Sequence, residues 1–157
     1  MTDAIDRPRI TPAEDPSWDH YAHTILELFA DRSLELDLSQ PVPPDALARL
    51  DEQGIGPEFA ILTACNPYGR AMDDLWNQRL TQVLRLEVAT GERTWVPADG
   101  VSRDKTHREA GVAVTMPKAD ARLLATRFGQ SAFFWFDGVV MWIIGAVVAA
   151  PDQRLPV

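Results

Sequence analysis

A chain of 157 residues, 46% hydrophobic and 24% charged, is long enough for one domain with its own core and too apolar to stay disordered. Its formal net charge of −8, without a basic stripe, argues against nucleic acid, whose phosphates demand clustered Lys and Arg. The single cysteine, Cys65, excludes an internal disulfide and a multi-cysteine zinc site and fits a reducing, cytoplasmic setting.

The acidity is concentrated. Residues 1–52 hold twelve Asp/Glu against four Lys/Arg, whereas residues 53–157 hold eleven of each. The acidic part reads as a solvated surface. The balanced part leaves room for a local anion pocket. The opening "MTDAIDRPRITPAEDP" is polar and has no apolar segment of the kind a secretory signal needs.

Taken in chain order, residues 1–16 carry three prolines and many charges and read as a loose arm. A short helix follows from Ser17 as N-cap, with Trp18, Tyr21 and Ala22 on one face. "TILELF" (residues 24–29) is open between a continuation of that helix and a first strand. Leu34, Leu36 and Leu38 alternate with acids, the pattern of a half-buried strand. "PVPPDALARLDEQG" predicts a helix over residues 44–53, opened by proline and closed by Gly54. "EFAILTA" is a buried strand. "AMDDLWNQRLTQVLRLEVATG" is the longest helix. "TWVPADG" and "GVAVTM" are strands, and "PKADARLLATRFG" is a helix from Pro117 to Gly129.

The apolar stretch over residues 131–150 matches a membrane span in length. Asp137 near its middle and the turn-favouring Asp137-Gly138 pair make it a hairpin instead, with β-branched and aromatic arms buried in the sheet. No membrane association is expected. The sum is an α/β (α+β) fold: a single mixed β-sheet packed with helices and ending in a C-terminal antiparallel hairpin. A crossover through the long helix joins "EFAILTA" to "TWVP". One domain covers residues 17–150, with a tail over 151–157.

Function is sought first in "FAILTACNPYGR". Pro67 stops the strand because it has no N–H. Asn66-Pro67 is either a plain turn or the lip of a site at the carboxyl end of a central strand, where ligands of open α/β sheets bind. In the second case the long helix would point free N–H groups at an anion, with Arg70 at the mouth. On that helix Met72, Leu75, Trp76, Leu80, Val83, Leu84 and Leu86 form one apolar face. Asn77 is at its border. Arg79 falls inside it, either snorkelling past the core or paired with a carboxylate. The second polar concentration is "DGVSRDKTHREAG". It is either a solvated loop or a wall with Arg108 as anion clamp and His107 or Glu109 as acid/base group. Cys65, at the end of an apolar strand, reads as packing rather than as a nucleophile with His107 as base. The three histidines are scattered in sequence and predict no metal site. No cofactor motif is present.

"LTACNP", Asn77, "HREAGVAV" and "ADARLLATRFGQSAFFW" follow one another in an order that resembles the bacterial family known as domain of unknown function 3293, from about Tyr21 to Ile144. The matching positions are Thr63, Ala64, Asn66, Pro67, Asn77, Glu109, Phe128, Gly129 and Gln130. The chain departs with Ala110 where the family has Pro and with Ser131 where it has Asn. The resemblance brings no activity with it. It implies that Asn66, Asn77, Glu109 and Gln130 carry whatever the site does. The resulting expectation is a soluble bacterial protein that binds, or acts on, a small polar or anionic ligand beside Asn66. Arg70, Asn77, His107 and Gln130 join Asn66 as binding residues, and Glu109 with Arg108 form the catalytic pair. The same amides could instead tie loops to the sheet by buried hydrogen bonds. The alternative function is a non-catalytic interaction or homo-oligomerising module that uses the acidic N-terminal part, with Trp18, Tyr21 and Phe29 as its contacts.

Overall fold

The computed structural model describes residues 10–157, so the first part of the expected arm lies outside the described residues. Of its remainder, Ile10 makes a parallel bridge with Val148 and Pro12–Glu14 form a 3-10 turn.

Eight strands make one sheet: β1 Ile25–Phe29, β2 Ser33–Asp37, β3 Phe59–Thr63, β4 Trp95–Val101, β5 Arg108–Val114, β6 Ala132–Phe136, β7 Met141–Gly145 and β8 Gln153–Leu155. Their order is β2-β1-β4-β5-β3-β6-β7-β8, and neighbouring strands pair antiparallel throughout. Three helices, α1 Pro44–Glu52, α2 Asp74–Thr90 and α3 Lys118–Arg127, cover it. The α/β architecture read from the sequence is therefore present, with a difference in the crossover. β3 and β4 run parallel, as two strands each antiparallel to β5 must, but β5 lies between them.

Alternation along the strands sorts the core into two clusters. Leu26, Leu28, Ile61, Ala98 and Ala113 face α1 and a 3-10 helix over Trp18–His23. Ala60, Leu62, Val112 and Val114 face α2 and α3, against Leu84, Val88, Leu124 and Ala125. The result is three layers around a sheet buried on both faces, which explains why the strands read as continuous apolar runs. Residues 24–29 resolve as Thr24 leading into β1. Ser17 does not cap the segment after it; its N–H donates to Asp15 Oδ1 at 2.9 Å.

Proline and glycine fit by position. Pro97 sits in β4 beyond Ala98, the last residue of β4 paired with β1, so its missing N–H leaves no gap in that ladder. Gly111, opposite Thr63, approaches β3 so closely that a Cβ there would lie 2.1 Å from the Leu62 carbonyl oxygen. The Asp137 turn is not the two-residue type expected. Phe136 and Met141 are the last pair. Asp137 Oδ1 accepts from Val139 N at 2.7 Å and Val140 N at 2.8 Å, a side-chain-closed turn. The expected tail supplies β8, which shields the outer edge of β7. No helix among the described residues is long and apolar enough to cross a membrane.

Candidate functional site

After β3 the chain does not enter α2 directly. Asn66 (φ 50°, ψ 54°) and Tyr68 (φ 58°) adopt the left-handed conformation, which Asn tolerates better than most residues and Tyr does not. Two contacts hold this bend. Tyr68 N donates to the Gly129 carbonyl at 2.8 Å, and the Tyr68 ring lies so near Gly129 (φ 66°) that a Cβ there would meet it at 2.8 Å. The N-terminus of α2 is closed by its own N-cap, Asp73, whose Oδ1 accepts from Trp76 N at 2.8 Å. The free N–H groups expected to greet an anion beside Asn66 are therefore partly satisfied by an internal carboxylate.

The bend puts Asn66 at the centre of a network. Asn66 N donates to Asn77 Oδ1 at 2.9 Å, and Asn77 Nδ2 donates back to Asn66 Oδ1 at 3.0 Å. Met72 N donates to the same Asn66 oxygen at 2.9 Å. With its oxygen doubly engaged, Asn66 turns Nδ2 toward Glu109 Oε1, 3.0 Å away. His107 Nε2 is 3.4 Å from that carboxylate oxygen. Gln130 Nε2 donates to the Cys65 and Phe128 carbonyls at 3.0 and 3.1 Å, closing the loop from the other side. Cys65 is buried and its Sγ donates to the Ala110 carbonyl at 3.6 Å, the packing role read from its position.

Asn66, His107, Glu109 and Gln130 line one cavity of about 830 Å³ between the sheet and residues 15–24. This volume suits a small ligand. Leu26, Ile61, Phe134 and Ile143 make its floor. Asn77 stands behind Asn66 and does not line it. Arg70 and Arg108 do not line it either. The reason for Arg108 is strand alternation: residues 99–101 and 108–111 are strand rather than loop, so Arg108 and Glu109 project from opposite faces. Arg108 pairs with Glu27 at 2.6 Å and Asp99 at 2.8 Å, and its hydrogen bond holds the Glu27 carboxyl below the usual range. The Arg108–Glu109 pair imagined from the sequence is thus split across the sheet.

Sequence reasoning missed the opposite wall. Ser17, His20 and His23 all line the cavity. Their three-residue spacing is the period of a 3-10 helix, on which such positions eclipse; the signal was there, under a reading as α-helix. Tyr21 also lines it, with its hydroxyl donating to Asp15 Oδ2 at 2.8 Å. Burial, then the hydrogen bond to Asp15, pushes that phenol well above its ordinary value, so it stays a neutral donor. All three histidines of the chain reach the cavity rim. Among the described residues no group of three or more His, Cys, Asp or Glu is arranged to hold a metal ion.

Residues 62–133 match the family model described as "Protein of unknown function (DUF3293)". Over that stretch, just under half of the chain, the sequence is similar to this family. No curated protein and no solved structure matches the chain. The DUF3293 stretch runs from β3 through the first residues of β6 and so contains Asn66, Asn77, Glu109 and Gln130 together, while the histidine-bearing wall over residues 15–24 lies outside it.

Proposed function

We propose that the protein binds a small molecule with an apolar body and a polar head in the cavity beneath residues 15–24, with Glu109 as the polar anchor. The observation that carries this reading is the way Glu109 is held. Asn66 fixes Oε1 from the cavity wall, and Asn66 is itself locked by Asn77 and Met72. A carboxylate kept in place by a network behind it, above an apolar floor, is the usual construction of a small-ligand site. Glu109 is also the group placed to accept a proton from a bound molecule.

The test fills the cavity. A Cβ on Gly100, a lining residue, would meet only Thr24 Cγ2, at 3.8 Å, so Gly100→Leu puts bulk beside Glu109 without backbone cost. Benzyl alcohol, benzamidine and benzoate are titrated while the amide resonances of Gly100, Glu109 and Ser131 are followed by NMR. Saturable shifts from at least one probe, abolished in a folded Gly100→Leu variant, support the reading. Binding that survives in Gly100→Leu, or no binding by any probe, overturns it.

A further inference from the structure

We infer that the head group of the ligand is a cation, an ammonium or amidinium, and not the anion that the arginines of the sequence suggest. The inference rests on the reading of the cavity just given and follows from where each charge is engaged. Among the described residues the lining carries three carboxylates, Asp15, Asp104 and Glu109, against one guanidinium, Arg103.

The Arg and Lys side chains near the mouth are already engaged. Arg103 donates to Asp37 Oδ1 at 2.6 Å and Ser39 Oγ at 2.8 Å. Lys105 pairs with Glu35 at 3.5 Å, and Arg108 is held on the other side of the sheet by Glu27 and Asp99. An anion entering the cavity would therefore have to draw an Arg or Lys out of an existing pair or depend on protonation of the rim histidines His20, His23 and His107.

The carboxylates are not equivalent. Asp15 accepts from Tyr21 and from Ser17 N. Asp104 Oδ1 accepts from Ser102 Oγ and from Thr106 N and Oγ1, closing its own loop. Glu109 differs in what holds it: Oε1 accepts from Asn66, a residue of another strand end, and has His107 Nε2 at 3.4 Å, while Oε2, like Asp104 Oδ2, makes no hydrogen bond among the described residues. Its side chain keeps 28% exposure and lines the cavity. A donor-bearing cation is the partner that a fixed carboxylate with one unused oxygen recognises best. Leu26, Ile61 and Phe134 below it take up the apolar body.

The three probes used above decide it, because they share a phenyl ring and differ in head charge. Dissociation constants for the full chain are measured by NMR titration at one pH and ionic strength. Benzamidine should bind about tenfold or more tighter than benzoate. Glu109→Gln keeps the oxygen that accepts from Asn66 and removes the charge. It should weaken benzamidine by about tenfold and benzyl alcohol by far less, and the benzyl alcohol binding that remains also reports that the cavity is intact. Benzoate binding as tightly as benzamidine, or benzamidine binding unchanged in Glu109→Gln, overturns the cation while leaving the small-molecule site standing. Loss of benzyl alcohol along with benzamidine in Glu109→Gln makes the glutamate a structural prop and also overturns the cation. Silence from every probe overturns the site and the cation together.

Discussion

The two faces of the sheet are covered by unequal means. On one face α2, of 17 residues, and α3, of 10, lay full helical turns over Ala60, Leu62, Val112 and Val114. On the other, α1 has nine residues and the Trp18–His23 segment only six, in 3-10 form. A 3-10 turn is narrow and rises steeply, so it bridges the sheet without filling the space beneath it, and the cavity of about 830 Å³ lies there. The lesson is that the cavity comes from incomplete coverage by a short element, while its fixed carboxylate, Glu109, comes from the sheet itself.

The largest effect expected from this contrast is on stability. Leu84, fully buried on α2, should cost about 2–5 kcal/mol when changed to Ala, the transfer term plus a new void. Phe134 lines the existing cavity, so its truncation to Ala enlarges a space already present and should cost only about 1–2 kcal/mol. Urea unfolding midpoints at constant slope measure both. Equal costs would mean that the cavity side is as tightly packed in solution as the helical side.

Much of the architecture was legible because it is local. Proline and glycine punctuation marked α1 and α3, and apolar runs marked β3, β5, β6 and β7. What escaped depended on partners distant in sequence. The face of α2 is the clearest case. Apolar residues lie all round this helix, and the stripe through Leu75, Trp76, Val83 and Leu86 looked like its core side. Of the face read from the sequence the fold buries Leu84, together with Thr81 and Val88, and leaves those four exposed. Asn77 and Thr81 decide the rotation. Asn77 must reach Asn66, and Thr81 Oγ1, which donates to the Asn77 carbonyl at 2.8 Å, packs 3.8 Å from Cys65 Sγ. Arg79, expected inside the apolar face, consequently lies over the Trp76 ring at 5.6 Å. The grouping of Asn66, Asn77, Glu109 and Gln130 came from resemblance, and the split of Arg108 from Glu109 followed once residues 108–114 proved to be strand.

A smaller effect concerns the loop over residues 102–107 that flanks the cavity, which Arg103 ties to Asp37. Hydrogen bonds from Ser39 and then Arg103 lower the Asp37 carboxyl to about 2, below the value of about 3.9 of an unfolded chain. The sign follows from linkage. The folded state holds this proton less tightly, so the stabilisation is complete above about pH 4 and is lost as pH falls toward 2. Asp37 is about one-third exposed and Arg103 half exposed, so solvent screening limits the contribution to about 1 kcal/mol or less. Denaturant midpoints between pH 5 and pH 2 should fall less steeply in Asp37→Asn than in the wild type. Identical slopes would show that the loop is not braced by this contact.

The smallest effect returns to α2 and sets its two sides against each other. Trp76 is 51% exposed and Leu86 68%, and neither belongs to a core cluster. Changing either to Ala removes little buried surface and should shift stability by no more than about 0.5 kcal/mol. At the residue next to Trp76, Asn77→Ala removes both side-chain bonds to Asn66 and should cost about 1–3 kcal/mol, because the Asn66 amide would lose partners in a part-buried site. The order Asn77 above Trp76 inverts what hydrophobicity alone would give for these positions. A Trp76→Ala cost above about 1 kcal/mol that grows with protein concentration would reverse the reading of α2. It would mean that a second chain covers the outer stripe in solution, and that the apolar face read from the sequence is buried between copies rather than within one.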